Sequence, residues 1–319
     1  LLFIRLRKMK KQILKSIGNV QWIHIHSDMN LSAALYLKRK TGAKLFYAVR
    51  CNDITRAKIL MKHGGYSLRE KLETLVYMYG KKNWREKKIA RHADCVTFQN
   101  EGDKNFFIAR TKYDPGKTVL IPGNIGSCRF LPEWQKKNRS TSVKKLVYVG
   151  PLAFSKGFNA IIDLMDELKD RGHRNVRVYI LGRTNNRADI FSEIKKRNLD
   201  DYFIFTGYVN PFSYFADCDL MVYPTYYDAW PDAVLEALYT GCPTIASAVG
   251  GLPDLLEYPE LLFEPGNVIQ MADMVERAIK DPDYYNNLRM LCDSRVPHLT
   301  FDWVAKFEEV MQADKECYV

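Results

Sequence analysis

The sequence predicts an α/β fold in which helices cover parallel sheets on both faces. Short apolar runs, such as 176–182 and 219–224, alternate with longer segments that have helical periodicity. Continuous apolar strands are typical of parallel sheets, because both faces of such a sheet are buried. At 319 residues the chain is long enough for two domains, each with a core of its own.

The first half is expected to hold four strands with helices between them. The predicted strands are 20–26, 44–50, 95–99 and 119–122. The predicted helices are 30–40, a long helical region over 67–91, and one between the last two strands.

Residues 124–144 are polar and without periodicity, which is typical of a linker. We therefore expect one domain over 1–144 and a second over 145–300, with 301–319 as a C-terminal helix that packs back on the first domain. In the second half the predicted strands are 145–150, 176–182, 202–207, 219–224, 243–248 and 261–264. The predicted helices there are 157–171, 187–197, 232–240, 268–280 and 301–313.

Charge is distributed unevenly between the halves. Residues 1–145 hold 32 Lys and Arg against 10 Asp and Glu, whereas 146–319 hold 16 against 27. A basic half of this kind indicates an anionic partner, such as lipid headgroups or nucleic acid. We do not expect nucleic acid, because no nucleic-acid-binding motif accompanies the basic residues. No apolar run is long enough for a membrane span.

Two carboxylates, Asp228 and Glu236, lie eight positions apart after the apolar run 219–224. Pro231 suits the first position of a helix, and Asp232 complements the helix dipole. Carboxylates accept hydrogen bonds from vicinal hydroxyls, so this pair suits a sugar or ribose ligand. The same two acids also fit a hydrolase pair, or charges on a solvated helix.

Two turns that follow predicted strands suit phosphate. Lys156 comes after Gly150 and precedes a predicted helix, and Gly250-Gly251 comes before a helix that Pro253 could start. Glycines allow close backbone approach, and free N–H groups at a helix start attract anions. The alternatives are an exposed turn lysine and a tight turn.

Residues 145–265 resemble the donor-binding domain of family 4 glycosyltransferases, which are retaining enzymes of the GT-B fold. That family has a Glu-x7-Glu motif, and this chain has Asp-x7-Glu from Asp228 to Glu236, followed by Gly250-Gly251. The resemblance implies two Rossmann-like domains with a cleft between them, and the N-terminal domain is expected to be incomplete. It also implies metal-independent transfer of a sugar, with retention, from a nucleotide-diphosphate sugar of the UDP or GDP type to an acceptor hydroxyl, without a further cofactor.

The resemblance assigns roles residue by residue. Glu236 would bind the ribose, Asp228 a sugar hydroxyl and Lys156 the diphosphate. The residues implied in catalysis are Asp228, Lys156 and Arg50. Those implied in donor binding are Glu236, Lys156, Gly150, Tyr208, Val209, Gly250, Gly251 and Asp232. No residue is predicted to bind a metal.

The chain departs from the family pattern at three places. Pro151 stands where the family has an Arg, so Arg183 is a candidate to neutralise the diphosphate in place of that arginine. Arg50 stands where the family often has a His near the donor sugar. About twenty residues precede the strand 20–26, so the first βα unit is expected to be missing.

Two alternatives remain to a glycosyltransferase of cell-surface polysaccharide or glycolipid synthesis, and the departures favour the second of them. One is a GT-B-fold nucleotide-sugar epimerase or hydrolase, and the other is a non-catalytic sugar-nucleotide-binding or scaffold subunit. Segment 2–17 has the pattern of a basic amphipathic helix, which fits either a membrane interface or a sheet-covering helix. We expect a sugar or lipid-linked acceptor, and a cytoplasmic protein with peripheral contact to the anionic inner face of the membrane.

Overall fold

The computed structural model describes residues 12–16, 18–64, 67–126, 142–184 and 187–316. The chain divides into two compact units, with the boundary along the chain between Pro122 and Gly123. Residues 62–64 are grouped with the second unit, and the described residues from Val310 onward with the first. Residues 12–16 are helical, and the remainder of the predicted N-terminal amphipathic segment lies outside the described residues.

The first unit contains a four-stranded parallel sheet in the order β1-β2-β3-β4. Its strands are β1 (Trp22–Ile25), β2 (Lys44–Ala48), β3 (Cys95–Phe98) and β4 (Thr118–Leu120). All four predicted strands are therefore present, and β3 is buried along its whole length, as expected for a strand covered on both faces.

The helices of the first unit differ from the prediction in two respects. A helix over Asp53–His63 was not predicted. The predicted long region begins at Leu68, where the Ser67 side chain accepts a hydrogen bond from the Glu70 amide, and is continuous to Ala90, but the segment Tyr77–Lys82 is π-helical. The helices are α1 (Leu31–Thr41), α2 (Asp53–His63), α3 (Leu68–Val76), α4 (Asn83–Ala90) and α5 (Glu101–Thr111).

The second unit contains a six-stranded parallel sheet in the order β10-β9-β8-β5-β6-β7. Its strands are β5 (Lys145–Val149), β6 (Arg177–Leu181), β7 (Phe203–Gly207), β8 (Leu220–Tyr223), β9 (Thr244–Ser247) and β10 (Leu262–Phe263). From β5 the chain moves outward to β7, then returns to the other side of β5 to place β8 there. The strand order therefore reverses between β5 and β8, which makes their carboxyl ends a topological switch point, where open α/β sheets bind their ligands.

The helices of the second unit surround this sheet. They are α6 (Phe158–Asp170), α7 (Ala188–Lys196), α8 (Phe212–Asp217), α9 (Asp232–Tyr239), α10 (Leu252–Leu256), α11 (Val268–Lys280) and α12 (Pro282–Leu299). Helix α13 (Trp303–Glu316) begins in the second unit, and its residues from Val310 onward are grouped with the first. Among the described residues, no helix combines the length and apolar character that crossing a bilayer requires.

The sequence prediction missed the longest of these helices, α12. Its buried residues recur every three or four positions, as on one helix face: Tyr285, Leu288, Cys292, Arg295 and Leu299. This stripe contains an arginine whose Nε donates to the Leu255 carbonyl over 3.0 Å, so it is not a purely apolar pattern. Pro297 lies in the last turn and further obscures the helical signal.

A buried ionic cluster joins the sheet of the first unit to its helices. The Lys82 ammonium lies 3.0 Å from Asp28, 2.7 Å from Asp53 and 3.7 Å from Glu86, and the Lys82 side chain is only 5% exposed. Asp28 follows the end of β1, and Asp53 opens α2. Burial by itself lowers the pKa of Lys82, but the hydrogen bond to Asp53 and the nearby negative charges outweigh it, and the pKa is raised.

We expect Lys82→Met to destabilise the first unit by about 3 kcal/mol, because it removes the buried cation that the cluster shares and leaves Asp28 with Arg85 as its remaining ionic partner. Urea-induced unfolding of the full chain measures the change. Lys81→Met is the matched control, because Lys81 is exposed and also lies in the π-helical segment. Equal stability of the two variants would show that the cluster contributes nothing to the fold.

Candidate functional site

A cavity of about 680 Å³ opens at the carboxyl edge of the second sheet. Its lining includes Gly150 after β5, Gly182 and Arg183 after β6, Tyr208 and Val209 after β7, and Glu236 from α9. This volume falls in the range of small-molecule sites. Four predicted site residues, Gly150, Tyr208, Val209 and Glu236, therefore share one cavity.

Helix α9 fixes Glu236 at this cavity. Val234, Leu235 and Leu238 are buried, so the helix is held against the core on its apolar side. The helix begins at Asp232, and Pro231 precedes it as the N-cap with an extended backbone. The prediction that Pro231 occupies the first helical position is thus wrong by one residue. Asp232 is exposed at the helix start.

Asp228 and Lys156 are in direct contact. The Lys156 ammonium lies 2.5 Å from Asp228 Oδ2, and the Tyr223 hydroxyl donates to the same oxygen over 2.8 Å. Burial, followed by the charge of Asp228, raises the pKa of Tyr223 well above its ordinary value, so this hydroxyl keeps its proton and acts as a donor. The Lys156 and Asp228 side chains are 32% and 19% exposed, so both remain accessible to a ligand.

Sequence reasoning missed Tyr223. The position of Tyr223 in the sequence could have indicated its role. It is the last residue of β8, and polar groups at the carboxyl ends of parallel strands lie at the edge of the sheet where ligands bind. The contact itself depends on β5 and β8 being neighbours, which the linear sequence does not reveal.

Gly250 and Gly251 pack against the loop that carries Asp228. A Cβ atom at Gly250 would lie 1.9 Å from the Asp228 carbonyl oxygen, and one at Gly251 would lie 1.9 Å from the Ala229 carbonyl oxygen. The Gly251 amide also donates to the Asp228 carbonyl over 3.0 Å. These glycines were predicted to allow close approach of a ligand, and the backbone they approach in the structure is that of the acidic loop.

Arg183 and Tyr208 form a pair at the cavity. The Arg183 guanidinium lies 5.3 Å from the centre of the Tyr208 ring, and Tyr208 is 80% exposed. This places a permanent positive charge and an aromatic face in the lining of the same pocket as Glu236. In the described part of the chain, no cluster of three or more His, Cys, Asp or Glu side chains is arranged to hold a metal ion.

Arg50 lies in the first unit, just after β2. Its Nε donates to Nδ1 of His26, which follows β1, over 3.3 Å. Burial, followed by the positive charge of Arg50, lowers the pKa of His26. Burial, His26 and Arg50 together lower the pKa of His24 to about 4. The imidazole of His26 is therefore a neutral acceptor that orients the Arg50 guanidinium.

Comparison with known proteins identifies the family. Residues 132–290 match the model of the glycosyl transferases group 1. This segment belongs to that family. It contains the cavity, the Lys156–Asp228 pair and the glycines beside them.

Two curated relatives share the sequence pattern. The chain is 31% identical over 141 residues to a 2-deoxystreptamine glucosyltransferase from Streptomyces kanamyceticus, covering 42% of this chain and 36% of that protein. It is 22% identical over 290 residues to a 2-deoxystreptamine N-acetyl-D-glucosaminyltransferase from Niallia circulans, covering 86% and 70% respectively. The match with the first of these therefore spans about a third of the relative's length.

Solved structures show the fold. Sucrose-phosphate synthase from Thermosynechococcus elongatus superposes with a TM-score of 0.77 at 21% identity, covering 99% of this chain and 79% of that one. Anabaena HepE in complex with UDP and glucose superposes with a TM-score of 0.73 at 15% identity, covering 98% and 82%. The predicted GT-B fold is confirmed.

We expect Gly251→Ala to displace the Asp228 loop, because its methyl group would overlap the Ala229 carbonyl. Overpacking of this kind costs about 1–3 kcal/mol. Thermal unfolding measures the loss. In Gly80→Ala the added methyl group has no heavy atom within 4 Å and alanine is the better helix former, so this variant should unfold at the parental temperature or slightly above it. A Gly251→Ala protein as stable as Gly80→Ala would contradict the packing argument.

We expect Arg50→Gln to raise the pKa of His26 toward its ordinary value, because the substitution removes a positive charge that disfavours the imidazolium. An NMR titration of the histidine rings measures this shift. Arg56→Gln removes the same charge from an exposed position of the same unit and serves as the control. A His26 titration curve that moves equally in both variants would rule out the Arg50–His26 contact.

Proposed function

We propose that this protein is a retaining glycosyltransferase that moves a sugar from a nucleotide-diphosphate sugar to an acceptor hydroxyl. The observation that supports this most is the position of Glu236, which shares a 680 Å³ cavity with the turn after β5, at the switch point of the sheet. The family match and the GT-B fold support the same reaction.

The nucleoside of the donor would occupy the cavity itself. Glu236 would accept hydrogen bonds from both ribose hydroxyls, an arrangement that a carboxylate provides well. The backbone of Tyr208 and Val209 would contact the base, and Gly150 would allow the chain to pass close to the ligand. The base would be of the UDP or GDP type, and the HepE complex holds UDP.

The diphosphate would be neutralised by two cations. Lys156 is one, and Arg183 is the second, standing in for the arginine that the family has where this chain has Pro151. Arg183 already lines the cavity that holds Glu236. Both charges would stabilise the negative charge that develops on the leaving diphosphate in the transition state. Amides near Gly250 and Gly251, together with Asp232 at the start of α9, would complete this side of the site.

Donor binding would also reorganise the acid that Lys156 contacts. In the structure, Asp228 Oδ2 accepts hydrogen bonds from both the Lys156 ammonium and the Tyr223 hydroxyl. A diphosphate would compete with Asp228 for Lys156, and the released carboxylate would accept a hydrogen bond from the donor sugar. Tyr223 would keep Asp228 oriented during this exchange, because its hydroxyl remains protonated.

The first domain, 1–144, would bind the acceptor, and 145–300 would bind the donor, with 301–319 as a helix that packs back on the first domain. Arg50 would act near the donor sugar by stabilising developing charge, since an arginine does not serve as a base at ordinary pH. His26 would hold its guanidinium in place. The named relatives are transferases, so they give no support to an epimerase, a hydrolase or a non-catalytic subunit.

The acceptor would be a sugar or a lipid-linked sugar. The excess of Lys and Arg in residues 1–145 favours an anionic acceptor or an anionic lipid surface. On this basis the enzyme would work in the cytoplasm, in peripheral contact with the inner face of the membrane, in the synthesis of a cell-surface polysaccharide or glycolipid.

Glu236→Ala is expected to weaken donor binding about a hundredfold, because both ribose hydroxyls lose their acceptor. A thermal-shift screen against UDP and GDP sugars measures binding, since a ligand that binds only the native state raises its stability. Glu260→Ala, which removes an exposed carboxylate from another helix of the same unit, is the matched control.

Turnover is measured in parallel by following release of the nucleoside diphosphate with candidate acceptors. If Glu236→Ala kept parental binding and turnover, the proposed donor site would be wrong. Conversion of the donor to its epimer, or hydrolysis at the same rate with and without acceptor, would replace the transferase by one of the two rival enzymes.

A further inference from the structure

We propose that an exposed helical face of the first unit docks on an anionic lipid bilayer. This apolar face consists of Leu68, Leu72, Leu75 and Val76 on α3 and Tyr79 in the π-helical segment. The inference deepens the membrane contact of the proposed function and rests on it, but it concerns a surface outside the donor site.

The apolar face is a continuous stripe of large side chains in solvent. Leu68 is 87% exposed, Leu72 63%, Val76 67% and Tyr79 50%. Their positions recur every three or four residues, so they lie on one side of the helix. Helix α3 has no buried residue at all, even though its sequence is amphipathic. An exposed apolar stripe of this kind is typical of a surface that binds a protein or a membrane.

The fold of the first unit does not depend on the apolar face. The same continuous helix is anchored further along, where Ile89 is fully buried and Glu86 and Lys82 join the buried ionic cluster. Helix α3 begins with a complete capping box, in which the Ser67 hydroxyl accepts from the Glu70 amide and Glu70 accepts from the Ser67 amide. Its helical structure is therefore stabilised locally, and its apolar side chains remain available to a partner.

The charge around the apolar face identifies the partner as anionic. Residues 67–91 contain eight Lys and Arg against three Glu. Lys81 and Lys87 are exposed, and the Lys88 ammonium lies 4.8 Å from the centre of the Trp84 ring, which is 60% exposed. Aliphatic side chains, an exposed tryptophan and lysines together are typical of helices that lie in an anionic bilayer interface.

Other occupants fit these observations less well. A second copy of the chain would bring two basic segments together, and their repulsion would oppose the contact. A nucleic acid would satisfy the lysines but would leave Leu68, Leu72 and Val76 against charged phosphates. A bilayer with anionic headgroups covers the apolar stripe and neutralises the lysines at the same time.

The first experiment tests the apolar component. Flotation of the full chain with phosphatidylcholine vesicles, with and without phosphatidylglycerol, measures partitioning. We expect the parent to bind vesicles that contain phosphatidylglycerol, and Leu72→Ser combined with Val76→Ser to bind on the order of tenfold more weakly. The matched control is Ile269→Ser combined with Met290→Ser, which removes two apolar side chains that are 54% and 70% exposed in the second unit.

The second experiment tests the charge component. Lys81→Glu combined with Lys87→Glu should abolish the preference for phosphatidylglycerol. Lys195→Glu combined with Lys196→Glu changes the net charge of the chain by the same amount at exposed positions of α7. This control should leave binding unchanged, because the attraction of a surface lysine to headgroups falls off within a Debye length.

Absence of parental binding to phosphatidylglycerol vesicles would overturn the inference, as would equal losses in the variants and their controls. The inference would also be contradicted if sedimentation showed that the parent is a dimer and that the Leu72 and Val76 substitutions dissociate it, while vesicle binding stayed unchanged. Urea unfolding checks that each variant is folded. Nucleotide-sugar thermal shifts of the same variants should match the parent, so failure of the membrane inference is distinguishable from failure of the donor site.

Discussion

The order of strands in the second sheet is the constraint on which the site depends. Strand β5 pairs with β6 on one side and β8 on the other, so the segments that follow β5, β6 and β8 meet at one carboxyl edge, where the cavity opens. Lys156 and Asp228 are 72 positions apart in sequence, yet the pairing of these two strands brings their charged atoms to 2.5 Å. A different strand order would leave each as an ordinary surface charge.

The acidic loop is held in place by backbone contacts on two sides. Gly250 and Gly251 pack so closely against the carbonyls of Asp228 and Ala229 that a methyl group would overlap them, and Trp230 donates its ring N–H to the Gly123 carbonyl over 2.9 Å. A functional side chain must be held close to its working position. The glycine pair therefore fixes the position of Asp228 through the loop it supports.

The two units use charge in different ways. In the first, buried Lys82 is surrounded by Asp28, Asp53 and Glu86, and this closed cluster stabilises the carboxyl edge of the sheet. In the second, the Lys156–Asp228 pair is only partly buried, so a ligand can reach the pair and take the place of one of its two side chains. Burial decides between the two outcomes, because removing one member of a fully buried pair leaves an uncompensated charge.

The sequence by itself determined most of the helices and strands, and it indicated the candidate residues of the site. Periodicity and apolar runs predict all ten strands found in the described part of the chain, and the spacing of Asp228 and Glu236 indicates a hydroxyl-binding pair, since both signals are local. Helix α12 was not predicted, because Arg295 and Cys292 belong to its buried face. Only the tertiary structure decided that Tyr223 donates to Asp228, that Gly251 supports the acidic loop, and that Leu72 lies in solvent. Each of these depends on which distant segments meet, and strand order and packing fix that after the local elements have formed.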